Sequence, residues 1–237
     1  MHKIVSIADI HSETENILSF LLWISENEAF DCLVFNGDLL GSSDDSEFIA
    51  ETILEMFKIV NKPIITIPGN NDGKIFDIFR KHSTFIHNNF FIFDNIAFFG
   101  YGGARTPIKS TSLEPSEKEF KVYLNSLYEK VKNVDIKVLV THMPPKDTRL
   151  DLVSGSHVGS EEIRNFILKN KINLAICSHI LEARGYDMLG NTLIINPGKF
   201  SEGNYALIGI STDGKIEFQL KNILQQKSSA LDLWLKI

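Results

Sequence analysis

The sequence predicts an α/β fold in which two sheets pack face to face and helices cover their outer surfaces. Two observations predict it: the first part of the chain alternates strand-like and helix-like runs, whereas residues 184–220 contain only strand-like runs. Alternation of the first kind implies parallel strands joined by helices. The chain has 237 residues, 43% of them hydrophobic. It is long enough to bury a substantial core, and we predict one domain over residues 1–237.

The first part of the chain is predicted to contain three strands and two helices. Short apolar runs predict strands at residues 3–8, 31–36 and 63–68. Apolar side chains at helical spacing predict a helix over residues 13–28 and another over residues 49–60. Ser12 and Glu15 fit a capping box at the start of the first helix.

The rest of the chain is predicted to be richer in strands. The turn residues Asp94-Asn95 predict a hairpin, and a capping box of Ser116 and Glu119 opens a helix. Another helix is centred on residues 163–167. Strands are predicted at residues 90–93, 96–100, 136–141, 173–177, 184–188, 192–195, 205–210 and 215–220. Residues 222–237 are predicted to form a tail or helix that packs on its own domain.

Charge and composition argue against several classes of protein. The 24 basic and 30 acidic residues give a net charge of −6, so we expect no duplex nucleic-acid partner, which would require a basic face. No apolar run approaches the roughly 18 residues that span a bilayer, and the first residues contain no apolar signal region. We therefore expect a cytoplasmic protein without a membrane partner; a homo-oligomer is left open. Cys32 and Cys177 are expected to be buried and reduced, although the residues alone leave one disulfide open.

Metal-capable side chains follow five predicted strands, each at the point where the strand ends. These residues are Asp9 and His11, Asp38, Asn70 and Asp72, His142, and His179. Each group alone is typical of an ordinary turn, or of a loop or core histidine. Ligands of α/β sheets gather at the carboxyl ends of the strands. Their recurrence at five strand ends therefore favours one shared metal site.

These motifs resemble the calcineurin-like metallophosphoesterase family over residues 4–200. They are D-x-H at Asp9 and His11, G-D at residues 37–38, G-N-x-D at residues 69–72, and a histidine after a strand at His142. Segments 100–103, 157–160, 182–185 and 196–198 are similar to a small, mostly prokaryotic branch of that family. The resemblance implies a four-layer α/β/β/α sandwich of two mixed sheets.

The resemblance also implies a dinuclear metal centre that hydrolyses phosphoesters, with two cations bridged by an aspartate and a water or hydroxide. It assigns Asp38 as the bridge, Asp9 and His11 to the first metal, and Asn70, His142 and His179 to the second. It makes Asp38, Asn70 and Asp72 the catalytic residues. Mixed oxygen and imidazole ligands suit Mn, Fe, Zn or Ni. The implied substrate is a phosphorylated small molecule: a small phosphodiester, a nucleotide or an activated phosphomonoester.

Two positions depart from the family pattern. The final G-H-x-H motif is Ser178-His179-Ile180-Leu181 here, so a first-metal ligand is replaced by Leu181 and the first site is expected to be weak or empty. If this segment is extended, Glu182 points away and cannot substitute. Asn71 stands where many members have a general-acid histidine, which would restrict the leaving groups. The alternative is a catalytically degenerate phosphoesterase fold that binds a ligand or a protein.

The loop over residues 143–159 is long for a compact domain, and such loops are often functional. It carries Lys146, Arg149 and His157. We name His157 as the candidate phosphate contact in this loop, and Arg105, after a glycine-rich turn, as a second candidate. A solvated loop charge explains each of these residues equally well.

Overall fold

Two mixed sheets of six strands lie face to face between two layers of helices, which gives the four-layer α/β/β/α sandwich. The computed structural model describes residues 1–42, 46–106 and 111–225. Most of the predicted tail or helix over residues 222–237 lies outside these residues. The strands are β1 (His2–Ile7), β2 (Cys32–Asn36), β3 (Ile64–Ile67), β4 (Thr84–Phe85), β5 (Asn89–Phe93), β6 (Ile96–Tyr101), β7 (Ile136–Thr141), β8 (Leu152–Val153), β9 (Ser156–His157), β10 (Leu174–Ile176), β11 (Gly185–Leu189), β12 (Thr192–Asn196), β13 (Asn204–Ile210) and β14 (Ile216–Asn222). The α-helices are α1 (Ile17–Asn27), α2 (Glu47–Phe57), α3 (Phe76–His82), α4 (Glu117–Val131) and α5 (Glu161–Lys169).

The strand order places the ends of the parallel strands beside one another. The first sheet has the order β14-β13-β1-β2-β3-β4 and the second β11-β12-β10-β7-β6-β5, with β8 and β9 as a separate hairpin. Strands β1 to β4 are mutually parallel, as are β6, β7, β10 and β12. The carboxyl ends in each sheet therefore lie at one edge, where α/β proteins place their sites.

Three layers of apolar side chains hold the sandwich together. Between the sheets lie residues such as Val34, Phe98 and Val138. Outside the first sheet α1, α2 and α3 bury their apolar stripes, and outside the second α4 and α5 do so. Strands buried on both faces need nearly continuous apolar runs, which is why β2 reads Cys-Leu-Val-Phe-Asn with every residue buried.

The capping box at Ser116 and Glu119 is confirmed at the start of α4. The one proposed at Ser12 and Glu15 is wrong, because α1 begins at Ile17. Ser12 has a φ of 64°, outside the range that can start a helix, and its Oγ accepts a hydrogen bond from the Gly41 N–H at 3.1 Å. The sequence interpretation also missed α3 and the two-residue strand β4.

Both cysteines, Cys32 and Cys177, are free and buried, so the disulfide left open by the sequence is absent. Burial raises the pKa of the Cys32 thiol to about 12, with Asp31 adding to the effect. Of the helices in the described ranges, none combines the length and the apolar character needed to cross a membrane. The cytoplasmic location stays a prediction.

Candidate metal centre

The loops after β1, β2, β7 and β10 bring most of the predicted ligands together. Ligand atoms of Asp9, His11 and Asp38 all lie within 4.8 Å of one another. The Nε2 atom of His142 lies 3.5 Å from Oδ2 of Asp38 and 4.0 Å from Oδ1 of Asp9. The rings of His142 and His179 are 5.3 Å apart. Side chains from both sheets thus converge on Asp38.

Backbone conformation aims these side chains. Asp9, His11, Asp38 and His179 have φ values of 55°, 53°, 56° and 70°, a region that L-residues adopt at a cost of roughly 1–2 kcal/mol each. Hydrogen bonds between the loops hold the strained positions: Asp9 N–H donates to the Gly37 carbonyl at 2.9 Å. Such strain clusters at functional sites, where the surrounding fold enforces it.

Gly37 allows three loops to meet. Its φ is 93°, and a Cβ atom there would lie 2.6 Å from both the Gly69 nitrogen and Nδ1 of His142. Any side chain at this position would push the Gly69 loop and His142 away from Asp38. The glycine of the G-D motif is therefore required by close packing as well as by its backbone angle.

Asp72 ties two of these loops together. Its carboxylate accepts hydrogen bonds from the N–H groups of Leu39 (3.1 Å), Leu40 (3.0 Å) and Gly69 (2.8 Å). Burial, followed by the charge of Asp38, raises its pKa to about 6. Both oxygens of Asp72 accept hydrogen bonds from backbone groups. The resemblance grouped this residue with the catalytic ones, and that role stays a prediction.

The Asn71 side chain lies on Asp38. Its amide donates to Oδ2 of Asp38 at 2.8 Å, and its backbone N–H donates to Oδ1 at 3.0 Å. The neighbouring Asn70 has its amide nitrogen 3.5 Å from Oδ1 of Asn71. Asn71 therefore fixes the carboxylate of Asp38, a contact that the sequence did not predict.

His142 is oriented by groups behind it. Its Nδ1 lies 2.8 Å from the Asn36 carbonyl and 2.8 Å from Oγ of Ser178, and Ser178 donates to the same carbonyl at 2.8 Å. A carbonyl can only accept, so Nδ1 carries a proton and Nε2 is the atom that faces the two aspartates. Carbonyl support of this kind fixes a metal-binding histidine. No pattern in the sequence predicts that the Asn36 carbonyl contacts His142.

The donor set fits a metal ion. Several buried side-chain atoms have no hydrogen-bond partner within the described residues: both carboxylate oxygens of Asp9, Nε2 of His11, Oδ1 of Asn70 and Nε2 of His142. Buried polar atoms are normally paired, so a cluster of unpaired oxygen and imidazole atoms indicates a missing partner. Carboxylate, amide oxygen and imidazole together are typical ligands of first-row transition metals.

The electrostatics of the carboxylates also call for positive charge. Burial raises the pKa of Asp9 to about 7, and Asp38 and Asp72 add to the effect while His142 opposes it. Burial likewise tends to raise the pKa of Asp38, but the charge of His142, with smaller contributions from His11 and the N–H of Asn71, outweighs it and lowers this pKa. The negative charge of Asp9 is thus not fully balanced by its neighbours, and a bound dication would supply the missing positive charge.

The histidines divide into two kinds. Burial lowers the pKa of His11, and burial with the charge of His142 lowers that of His179 to about 4. Burial opposes the charging of His142 as well, but Asp38 and Asp9 raise its pKa to about 9. His11 and His179 therefore keep their neutral, ligating form, whereas a metal must displace a proton from His142.

The two candidate phosphate contacts are engaged elsewhere. Nδ1 of His157 lies 2.7 Å from Oδ1 of Asp151, a buried carboxylate that also accepts the N–H groups of Thr148 and Gly159. The loop over residues 143–159 is built around this carboxylate. The Arg105 guanidinium pairs with Glu117, although the backbone of Arg105 lies beside the His179 ring. Neither side chain has a described contact with the metal-capable group.

The segment after His179 turns, so the extended backbone on which the expectation for Glu182 was based is wrong. Ile180 N–H donates to the Ser178 carbonyl at 2.8 Å across His179, which is a γ-turn, and Leu181–Ala183 form a 3₁₀ turn. The side chain of Asn196 holds the Ile180 carbonyl at 3.0 Å. Glu182 is exposed.

The chain belongs to the calcineurin-like phosphoesterase family, whose model matches residues 2–183. This is a family of metal-dependent phosphoester hydrolases that use dimetal centres. The chain is 33% identical over 202 residues to an uncharacterized protein of Methanocaldococcus jannaschii. The alignment covers 82% of this chain and 87% of that protein.

The solved structures that share the fold include the following two. The protein TT1561 of Thermus thermophilus superposes with a TM-score of 0.72 at 18% identity, over 92% of this chain and 98% of that one. A dimetal phosphatase from Danio rerio superposes with a TM-score of 0.68 at 10% identity, over 93% and 96% of the two chains. At these identities the likeness shows the fold alone.

Proposed function

We propose that this protein is a metal-dependent phosphoesterase that hydrolyses a small phosphodiester, a nucleotide or an activated phosphomonoester. One observation carries the proposal: ligand atoms of Asp9, His11 and His142 lie close to Asp38, buried and without a hydrogen-bond partner among the described residues. A protein that used this fold only as a scaffold would gain nothing from leaving these atoms unpaired in its interior, because each costs about 1–3 kcal/mol.

Each residue has a role in the proposed site. Asp9, His11 and Asp38 would hold the first metal, and Asp38, Asn70, His142 and His179 the second; Mn, Fe, Zn and Ni suit these ligands. When bound, the ions would polarise the phosphate and lower the pKa of a water molecule, so that hydroxide is available as the nucleophile. Asn71 holds the carboxylate of Asp38 in place, and Asp72 fixes the loops that carry Asp38 and Asn70.

The second candidate function is a binding module without turnover. Its support is Leu181, an apolar side chain at a position where the family pattern provides a ligand. On this view the first metal position has lost its function, and the fold binds a ligand or a protein. Metal binding and hydrolysis separate the two functions directly.

The test combines metal content with hydrolysis of bis-p-nitrophenyl phosphate, measured with added Mn²⁺ or Ni²⁺. We expect bound metal and slow turnover in the wild type. Asp38→Asn should lower metal content at both positions, because Asp38 is the ligand they share. Asp77→Asn is the matched control, since Asp77 is 95% exposed and pairs only with Arg80 among described residues.

Two outcomes would contradict the proposal. A wild-type protein that takes up no metal and hydrolyses nothing would favour the binding module. An Asp38→Asn variant that keeps the wild-type metal content would remove Asp38 from its bridging role.

A further inference from the structure

Lys199 is fixed beside the first metal position by the backbone. It forms a parallel bridge with Ala8, the residue before Asp9, and the next N–H, that of Phe200, donates to the Ala8 carbonyl at 2.9 Å. The preceding turn is held by Asn196, whose Oδ1 accepts the Gly198 N–H at 2.9 Å. The start of the Lys199 side chain is thus fixed relative to the Asp9 loop.

The ammonium group reaches the segment that follows His11. Nζ is 3.3 Å from Oε1 of Glu13, with the lysine side chain 23% exposed and the glutamate 54% exposed. Lys199 is also close enough to His11 to act on the charge of that ring. An ion pair with an exposed partner contributes little stability, so Lys199 can exchange the carboxylate of Glu13 for another anion at little cost.

We propose that Lys199 binds the phosphate group of the substrate through a non-bridging oxygen, and that its charge weakens the binding of a dication at Asp9, His11 and Asp38. This inference rests on the proposed phosphoesterase function. The proposed first metal position has three protein ligands within reach of one another, and Lys199 adds a positive charge from the adjoining segment. A lysine ammonium is a compact phosphate-binding cation with three donors. It would hold the phosphate on the side where metal coordination is weakest.

The proposal predicts effects of opposite sign from one substitution. In Lys199→Gln, inorganic phosphate should bind the Mn²⁺-saturated protein about tenfold more weakly, as expected for the loss of one charge-assisted hydrogen bond. In the same variant, Mn²⁺ titrated without phosphate should bind the weaker of its positions several-fold more tightly, because a like charge has been removed. Calorimetry measures both, and neither readout depends on turnover.

Three further variants make the test specific. Lys199→Arg should keep phosphate binding near the wild-type value. Glu13→Gln should leave phosphate binding unchanged or stronger, because it removes a competing carboxylate. Lys215→Gln is the matched control, since Lys215 lies in the turn between β13 and β14 and has the same 3.3 Å separation from its partner, Asp213; it should alter neither titration.

The results that overturn the proposal are distinct from those that overturn the function. If the wild type binds metal, binds phosphate and hydrolyses the ester while Lys199→Gln behaves identically, the role of Lys199 is refuted and the phosphoesterase function stands. If Lys199→Gln and Glu13→Gln lose phosphate binding equally, Lys199 acts only through its ion pair, which also refutes the direct contact. A wild type that takes up neither metal nor phosphate overturns both proposals.

Discussion

Ser178 contacts the proposed metal ligand His142 on the side that faces away from the two aspartates. It bonds to Nδ1 of His142 and to the Asn36 carbonyl, both at 2.8 Å. We expect Ser178→Ala to lower metal affinity by about tenfold, near the lower end of the effects of such supporting groups, because the Asn36 carbonyl still holds the histidine. Equilibrium metal titration of the folded variant measures this.

Ser25→Ala is the control for that substitution. Its Oγ bonds to the Leu21 carbonyl within α1 at 2.7 Å, and no metal-capable residue is involved. Equal metal affinities in wild type and Ser178→Ala would mean that the hydroxyl contributes only to packing and does not support the histidine.

At the scale of residues, the sequence located the metal-capable side chains better than the groups that support them. Aspartates and histidines at strand ends are visible in a sequence, because the ends of parallel strands must meet. The hydrogen bond from Asn71 to Asp38 and the contact of Ser178 with His142 depend on exact distances between loops. No residue pattern records those distances, nor that His157 would be bound by Asp151.

Among the elements, the turn that follows β2 tolerates little change at Gly37. Gly37→Ala must place a methyl group 2.6 Å from the Gly69 nitrogen and adopt a φ of 93°. We expect it to lower the free energy of unfolding by about 3 kcal/mol or more, from the sum of backbone strain and overpacking. Urea denaturation provides the measurement.

Gly155→Ala separates the two causes. Gly155 has a φ of 82°, but nothing lies within 4 Å of the position where its Cβ would be. It should cost about 1–2 kcal/mol, the strain alone. If Gly37→Ala costs no more than Gly155→Ala, close packing of the three loops does not contribute.

The elements themselves were largely predictable, and the errors have physical causes. The two capping-box patterns look alike in sequence, yet only Ser116 opens a helix. Ser12 lies in a segment whose backbone is bent to aim Asp9 and His11, so the site overrides the local signal. Helix α3 has only seven residues, which is too short for its apolar spacing to stand out from the preceding turn.

For the molecule as a whole, His87 makes stability depend on pH. Its Nδ1 accepts the Gly102 N–H at 2.9 Å, and burial, with a contribution from Arg80, lowers its pKa to about 4. The unfolded value is about 6.5. Because the folded protein binds this proton less readily, the stability that neutral His87 contributes is complete above pH 6.5 and is lost as the pH falls toward 4.

We expect His87→Gln to lose less stability than the wild type between pH 7 and pH 4.5, by at most about 3 kcal/mol. Glutamine can still accept the Gly102 N–H but takes up no proton. Urea denaturation of both proteins at the two pH values isolates the histidine, since all other titrating groups are shared. Equal losses of stability in the two proteins would show that the fold does not lower the pKa of His87.

At the scale of the whole molecule, the alternation of strands and helices and the strand-rich end predicted two sheets with helices outside, and this is confirmed. Strand order was not predictable from pattern alone. The return of β13 and β14 to the first sheet, beside β1, requires contacts between residues about 200 positions apart. The assignment of residues 1–237 to one domain stays a prediction.

The carbonyl of Asn36 belongs to the first sheet, whereas His142 and Ser178, which share it, follow strands of the second and lie 106 and 142 positions away along the chain. The proposed ligands therefore come together only after the two sheets have packed against each other. Neither sheet alone offers the full proposed set, so a metal ion would bind the folded sandwich and not an isolated half. Its binding free energy would add to the stability of the folded state. Removal of the metal by a chelator should weaken the packing between the two sheets before it unfolds either sheet.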